Sequence, residues 1–304
     1  MDKMLIKDKA ANWVQQKLGV AVHSMKRLPG STSSLLYEVK TANSTVVLRQ
    51  YDNKEWLREE PDLVQHEAAS LQKASAGNLS SPTLLGFDKT GDASGFSSIL
   101  MSKVEGEVVI EPDDIHTWAD ELAKTLVGIH QVEASGFPWK YAPYTKLKDV
   151  KFPKWTKIPA VWKVTFDRLH GGVPEFHETF IHRDFHPTNV LWKNNKVSGI
   201  VDWPNACSGP AGIDVGHCRV NLALLHSVEV ADLFLKAYEE QAEISFTYDS
   251  YWDIVSAFDF LDGAPVVYPG WEAFGVTGLT DGMMEVRLDN YMGSLMKKFK
   301  STNK

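Results

Sequence analysis

The chain has 304 residues, of which 43% are hydrophobic and 23% charged, with a net charge of −7 and a pI near 5.8. That length suggests about two domains or lobes, and the composition supplies an ordinary folded core. The acidic balance argues against a nucleic-acid partner, which usually demands a basic surplus. It leaves local phosphate sites open, because these need only oriented N–H groups or a few cations. It is also compatible with a cationic partner, although solubility alone explains it.

No run of 18 apolar residues offers a membrane span. The N-terminal stretch MDKMLIKDKAANW is charged and lacks an apolar signal core, so the expected location is the cytoplasm. Cys207 and Cys218 form no CxxC pair and no metal-like cluster, and read as buried or reduced thiols.

In chain order, Ala11, Val14 and Leu18 recur at helical spacing over residues 8–18, with Gly19 placed to end the helix. Residues 20–28 alternate as a strand. A small-residue loop, Pro29 to Ser34, follows. Residues 35–40 and 45–51 read as strands joined by Thr41-Ala42-Asn43-Ser44, a β-hairpin. Pro61 opens a helix reaching about Ala74. Residues 83–87 and 96–103 complete a mostly antiparallel N-terminal sheet.

The character changes after Glu105-Gly106, so the lobe boundary is expected near residue 104: residues 1–104 form a sheet lobe with one inserted helix, and 105–304 a helical lobe. Residues 113–133 predict a long helix with Leu122, Leu126, Ile129 and His130 on related faces. The stretch 137–162, rich in Pro, Lys and aromatics, is expected to interrupt the helices and cross the surface. Short strands are expected at 179–182, 189–192 and 196–202, with a turn at Asn194-Asn195, and helices thereafter.

The segment His182-Arg183-Asp184-Phe185-His186-Pro187-Thr188-Asn189 matches the spacing H-R-D-x-x-x-x-N of kinase catalytic loops. The spacing has a chemical reason. Asp184 is placed to orient an attacking hydroxyl and accept its proton, while Asn189 turns back toward a metal ion. A second ligand is expected on the next strand, where Asp202 follows the apolar run 197–201. One Asn and one Asp suit Mg²⁺, which takes few carboxylates beside phosphate oxygens and water.

The run FIHRDFHPTNVLW followed by GIVDW resembles the aminoglycoside phosphotransferase family of small-molecule kinases. The resemblance covers about residues 25–225. It implies an α+β, protein-kinase-like fold with a small antiparallel-sheet N-lobe and a larger helical C-lobe. It also implies ATP and Mg²⁺, with Asp184 as catalytic base and Asn189 and Asp202 as metal ligands. Arg49 takes the place of a phosphate-binding Lys, with Glu67 as its ion-pair partner. The loop holding Gly30 and Ser31 stands where a Gly-rich loop would cover the phosphates, although G-x-G-x-x-G is absent. Met101, Ser102 and Lys103 resemble the hinge that meets adenine. Asp214 resembles a residue that props the catalytic loop. A zinc cluster of His182, His186, His217 and Cys218 fits no usual spacing.

The implied acceptor is the hydroxyl of a small molecule. The pairs Asp249/Asp253 and Asp259/Asp262 each share a helix face at i,i+4 or i,i+3 spacing, and offer a site for a cationic acceptor. The plainer reading is a solvated face. Trp252, Phe258, Phe260, Tyr268 and Trp271 are either core or a stacking platform. Two alternatives stay open: a kinase of choline, homoserine, a sugar or a ketosamine, and a nucleotide-binding protein without catalysis. A protein kinase is less favoured, because no A-P-E segment follows Asp202. The sequence leaves the oligomeric state undetermined.

Overall fold

The computed structural model describes residues 3–28, 33–146, 149–242, 246–259, 261 and 263–302. Gly30, Ser31, Phe260 and Asp262 therefore lie outside the described residues. The elements in order are α1 (Lys3–Leu18), β1 (Val22–Arg27), β2 (Leu35–Thr41), β3 (Thr45–Tyr51), α2 (Trp56–Glu59), α3 (Leu63–Ala76), β4 (Leu84–Asp88), β5 (Ser97–Ser102), β6 (Glu107–Val108), α4 (Ile115–His130), α5 (Pro159–His170), β7 (Glu178–Ile181), β8 (Val190–Lys193), β9 (Lys196–Ile200), β10 (Cys207–Pro210), α6 (Ala211–Leu225), α7 (Val228–Gln241), α8 (Tyr251–Asp259), α9 (Pro269–Ala273) and α10 (Asp281–Thr302). They fall into two compact units, Met1–Glu107 with Ser198–Ala206, and Val108–Val197 with Cys207–Lys304.

The first unit is built on a five-stranded antiparallel sheet in the order β1-β2-β3-β5-β4. The hairpin between β2 and β3 turns where the sequence places it. The Thr41 amide donates to the Ser44 carbonyl at 2.9 Å, and the Thr41 hydroxyl accepts from the Ser44 amide at 3.1 Å. Helix α1 begins at Lys3, earlier than its apolar spacing indicates, and stops at Gly19, whose φ of +69° suits glycine. Its Ala10, Trp13 and Val14 form a core cluster with Val39, Val46, Leu48 and Leu100 of the sheet. The short helix α2 has no buried residue and leaves no periodic signal in the sequence. Segment 198–206, far along the chain, groups with this unit: the Ile200 amide donates to the Ser80 carbonyl at 2.7 Å.

The second unit is helical around α6, of which residues 212–225 are all buried. Helix α6 packs on α7 and α8, and α4 packs on α7. The predicted long helix is present as α4: Leu122, Leu126 and Ile129 are buried, and Asp114 caps its start by accepting from the His116 and Thr117 amides. The stretch 137–162 corrects the surface expectation at its end. Pro159 starts α5, as proline does at a first helical position, and Trp162, Thr165 and Leu169 face inward. Both cysteines are free and buried. Burial pushes the Cys207 thiol up to about 12 and the Cys218 thiol upward as well, so neither offers a thiolate.

The close approach of α6 to α8 requires glycine. A Cβ on Gly216 would lie 2.5 Å from the Trp252 carbonyl oxygen and 2.9 Å from Ser256 Oγ. Ala is worth about 1 kcal/mol over Gly in a helix, but overpacking against backbone costs about 1–3 kcal/mol. The clash wins: Gly216→Ala is expected to lower the urea midpoint of unfolding, and an unchanged or higher midpoint would show that α8 yields.

Candidate active site

The loop between β7 and β8 carries the motif, and Asp214 of α6 holds it from beneath. Asp214 accepts from the His182 amide through Oδ2 and from the Arg183 amide through Oδ1, each at 2.7 Å. His130 Nε2 lies 3.3 Å from Asp214 Oδ2, and the other ring nitrogen, Nδ1, lies 2.6 Å from the Tyr238 hydroxyl. Burial works to raise the Asp214 pKa, but the hydrogen bond and charge of His130, with His182, outweigh it and hold the carboxylate below its ordinary range.

The pinned backbone turns through Arg183 at φ +70°, a left-handed conformation that is uncommon for a non-glycine residue. The Arg183 side chain is fastened in turn. Its guanidinium pairs with Asp259 at 3.1 Å and lies 3.8 Å from the centre of the Tyr144 ring.

That turn presents Asp184 with its side chain 30% exposed, while most of its loop neighbours are buried. Asn189, in the 3₁₀ turn Pro187–Asn189, donates its side-chain nitrogen to the Asp184 carbonyl at 2.9 Å and to Asp184 Oδ2 at 3.3 Å. The other oxygen, Oδ1, lies 3.2 Å from His217 Nε2 and 3.7 Å from His186 Nε2. Burial pushes the Asp184 carboxyl upward. The hydrogen bond from His217 and the charges of His186, His217 and His182 outweigh it, so the group stays well below the ordinary carboxylate range. An ionised carboxylate, held at both oxygens and partly exposed, can accept a hydrogen bond from a hydroxyl and orient it; its lowered pKa makes it a weak base, so positioning outweighs proton affinity.

His217 was not singled out as a partner of Asp184 by the sequence. The signal was its position three residues after Asp214 on α6, which puts both side chains on one helix face. One residue grips the loop backbone and the other reaches the loop's carboxylate.

In the first unit, Arg49 Nη1 pairs with Glu67 at 2.7 Å and Nη2 with Asp202 at 2.8 Å. The Tyr51 hydroxyl donates to the second oxygen of Glu67. Arg49 and Glu67 are thus an ion pair, and Asp202 joins them. Asp202 is not strand-final as expected: β9 ends at Ile200, and Asp202 sits two residues later at φ +70°. The apolar residue Val201 masks this change of backbone in the sequence. Met101 lies inside the sheet, paired with Val47 and Leu84, and the chain leaves the sheet after Ser102. Ser102 Oγ accepts from the Thr83 amide at 2.8 Å, and Lys103 pairs with Glu38 at 2.7 Å.

The acidic pair Asp249/Asp253 offered for a cation is already neutralised, and of the pair Asp259/Asp262 the second residue lies outside the described residues. Asp249 precedes α8 and pairs with Arg168 at 3.1 Å, and buried Asp253 pairs with Arg219 at 2.5 Å. Trp252, Phe258 and Trp271 are buried core residues.

An antiparallel N-terminal sheet and a helical unit carrying this loop are the two parts of the protein-kinase-like fold. A thermostable mutant of aminoglycoside phosphotransferase APH(4)-Ia, solved as a ternary complex with ADP and hygromycin B, shares the fold with a TM-score of 0.63 at 14% identity, over 94% of this chain and 98% of that one. Choline kinase LicA from Streptococcus pneumoniae shares it with a TM-score of 0.61 at 18% identity, over 96% and 99%. LicA is also solved with AMP, and that structure aligns with a TM-score of 0.62 at 18% identity over 97% and 99%. At these identities the likeness establishes the fold. No curated protein sequence matches the chain. The profile of the phosphotransferase enzyme family matches residues 24–252, and the chain belongs to that family. No helix among the described residues is long and apolar enough to cross a membrane.

Proposed function

We propose that the protein is an ATP-dependent small-molecule kinase of the cytoplasm that transfers the γ-phosphoryl group to a substrate hydroxyl. The observation that carries this reading is Asp184: ionised, partly exposed, and held by Asn189 and His217 on a loop pinned by Asp214. A loop so braced supports positioning chemistry, which is most of what phosphoryl transfer asks of a protein.

In the proposed step the acceptor oxygen forms a bond to the γ-phosphorus and the bond from that phosphorus to the β-bridging oxygen breaks. The hydroxyl proton passes to Asp184, and ADP leaves. The donor set suits Mg²⁺, a hard cation that takes oxygen ligands. Asn189 commits its amide nitrogen to Asp184, which leaves its carbonyl oxygen for an ion, and Asp202 commits one oxygen, Oδ1, to Arg49. Asn189 and Asp202 would hold the ion, whose charge offsets that of the phosphates. Arg49, braced by Glu67, steadies the phosphates. By the resemblance alone, Gly30 and Ser31 would belong to the loop over them, and the backbone at Met101, Ser102 and Lys103 would meet adenine.

An ADP-release assay with Mg-ATP and a panel of aminoglycosides, macrolides, amino alcohols and sugars tests the reading. Release that depends on both acceptor and Mg²⁺ is expected. Tight ATP binding with no acceptor-dependent release would favour a nucleotide-binding protein instead.

A further inference from the structure

The second unit contains a mostly apolar cavity of about 80 Å³, with Tyr141, Leu169, Tyr251, Trp252, Val255 and Phe258 among the residues lining it. The one charged residue among the described lining residues is Asp259, and it is already satisfied. Its Oδ2 pairs with Arg183 and its Oδ1 accepts from the Thr145 amide, each at 3.1 Å. An ammonium group placed here would lose its hydration without gaining an unpaired carboxylate. Asp249 and Asp253, the other described acids the sequence offers for a cation, are likewise paired with arginines.

Two partly exposed apolar residues stand at or near the cavity. Val173 lines it and is 54% exposed, and Phe176, 45% exposed, has its ring centre 5.8 Å from that of Trp252. Several contacts tie this region to the loop, the Asp259–Arg183 pair among them. The Arg183 guanidinium lies 5.0 Å from the centre of the Tyr141 ring, and the Tyr144 hydroxyl donates to the Arg183 carbonyl at 3.4 Å. That carbonyl belongs to the peptide that leads into Asp184.

We infer that this cavity receives an apolar part of the acceptor. The substrate is then a hydroxyl compound bearing a small alkyl or aryl group, and not a polycationic amino sugar. The inference rests on the kinase reading above. The size sets the group. A dry apolar cavity of about 150 Å³ holds a benzene ring, so this one takes a branched alkyl group, or the edge of a ring whose remainder lies against Val173 and Phe176.

Two readouts on the full-length protein test this. Calorimetric titration with 3-phenyl-1-propanol, glycerol and an aminoglycoside measures binding, and phosphoryl transfer to the same three compounds measures kcat/KM. Variants Val150→Phe, which narrows the cavity, and Val173→Asp, which charges its mouth, lie outside the catalytic loop. The phenyl alcohol is expected to bind at least about 10-fold tighter than glycerol and to be the best acceptor, and each variant is expected to cut both advantages about 10-fold. ATP affinity, unchanged in both variants, confirms that they are folded. Equal binding of the two alcohols, or tighter binding of the aminoglycoside unaffected by either variant, overturns the inference. Transfer to glycerol or the aminoglycoside with no preference for the phenyl alcohol overturns it while leaving the kinase reading intact. Binding without transfer to any compound counts against the kinase reading and removes the acceptor assignment with it.

Discussion

Asp184→Asn is expected to lower kcat by about 10²- to 10⁴-fold, the usual contribution of a positioned proton acceptor. The substitution is nearly isosteric and keeps one acceptor oxygen, so the loop keeps its shape, while loss of the carboxylate charge beside His217 and His186 is expected to cost some stability. Nucleotide affinity should stay within about 2-fold of the parent, a margin well under 1 kcal/mol. The split between turnover and binding is the informative part, because general loss of structure would reduce both. Turnover at the parental rate would remove Asp184 from the chemistry.

Asp214→Asn is expected to act on stability and turnover together. The carboxylate accepts from two backbone amides and lies within hydrogen-bonding distance of His130, all in the interior. An amide supplies one acceptor oxygen and turns an NH₂ group toward a backbone N–H that needs an acceptor. Removing one partner from a buried charged network costs about 3–5 kcal/mol, enough to lower the melting temperature by several degrees.

The pH dependence has a definite sign. The folded pKa of Asp214 is depressed. Its contribution is therefore present above the unfolded value of about 3.9 and is lost as pH falls through the folded value. The stability gap between parent and variant should be complete at pH 7 and narrow progressively below about pH 4. Denaturant titrations at pH 7 and at acidic pH measure it, and a gap that widens on acidification would contradict the account. Turnover should fall as well, because the loop that presents Asp184 loses its anchor.

Local patterns were legible wherever the physics is local. The Thr41–Ser44 turn, the apolar stripe of α4 and the spacing from Asp184 to Asn189 all involve residues within a few positions of one another. Pairings across long stretches of chain were not. Arg183 pairs with Asp259 across 76 residues, and nothing near Arg183 predicts that partner. Neither the cation site nor the solvated face offered for Asp249 and Asp253 anticipates their partners, because the arginines that neutralise them are far away in sequence.

Backbone conformation also escaped where side chains gave no cue. Arg183 and Asp202 adopt left-handed φ without being glycine, and such positions cluster at functional sites because surrounding structure must hold them. The hydrogen bond from His217 to Asp184 needed both the helix and the loop in three dimensions. The Arg49–Glu67 pair followed from the resemblance, whereas Tyr51 as the second partner of Glu67 did not.

The central claim is that this chain moves a phosphoryl group to a hydroxyl with Asp184 as proton acceptor. Phosphorus-31 NMR of the parent with Mg-ATP and the full acceptor panel of aminoglycosides, macrolides, amino alcohols, sugars and apolar alcohols tests it most directly. A new phosphate-monoester resonance, growing in step with ADP and absent with Asp184→Asn, is the predicted result. Inorganic phosphate as the sole new product, or an ester formed equally fast by Asp184→Asn, would contradict it.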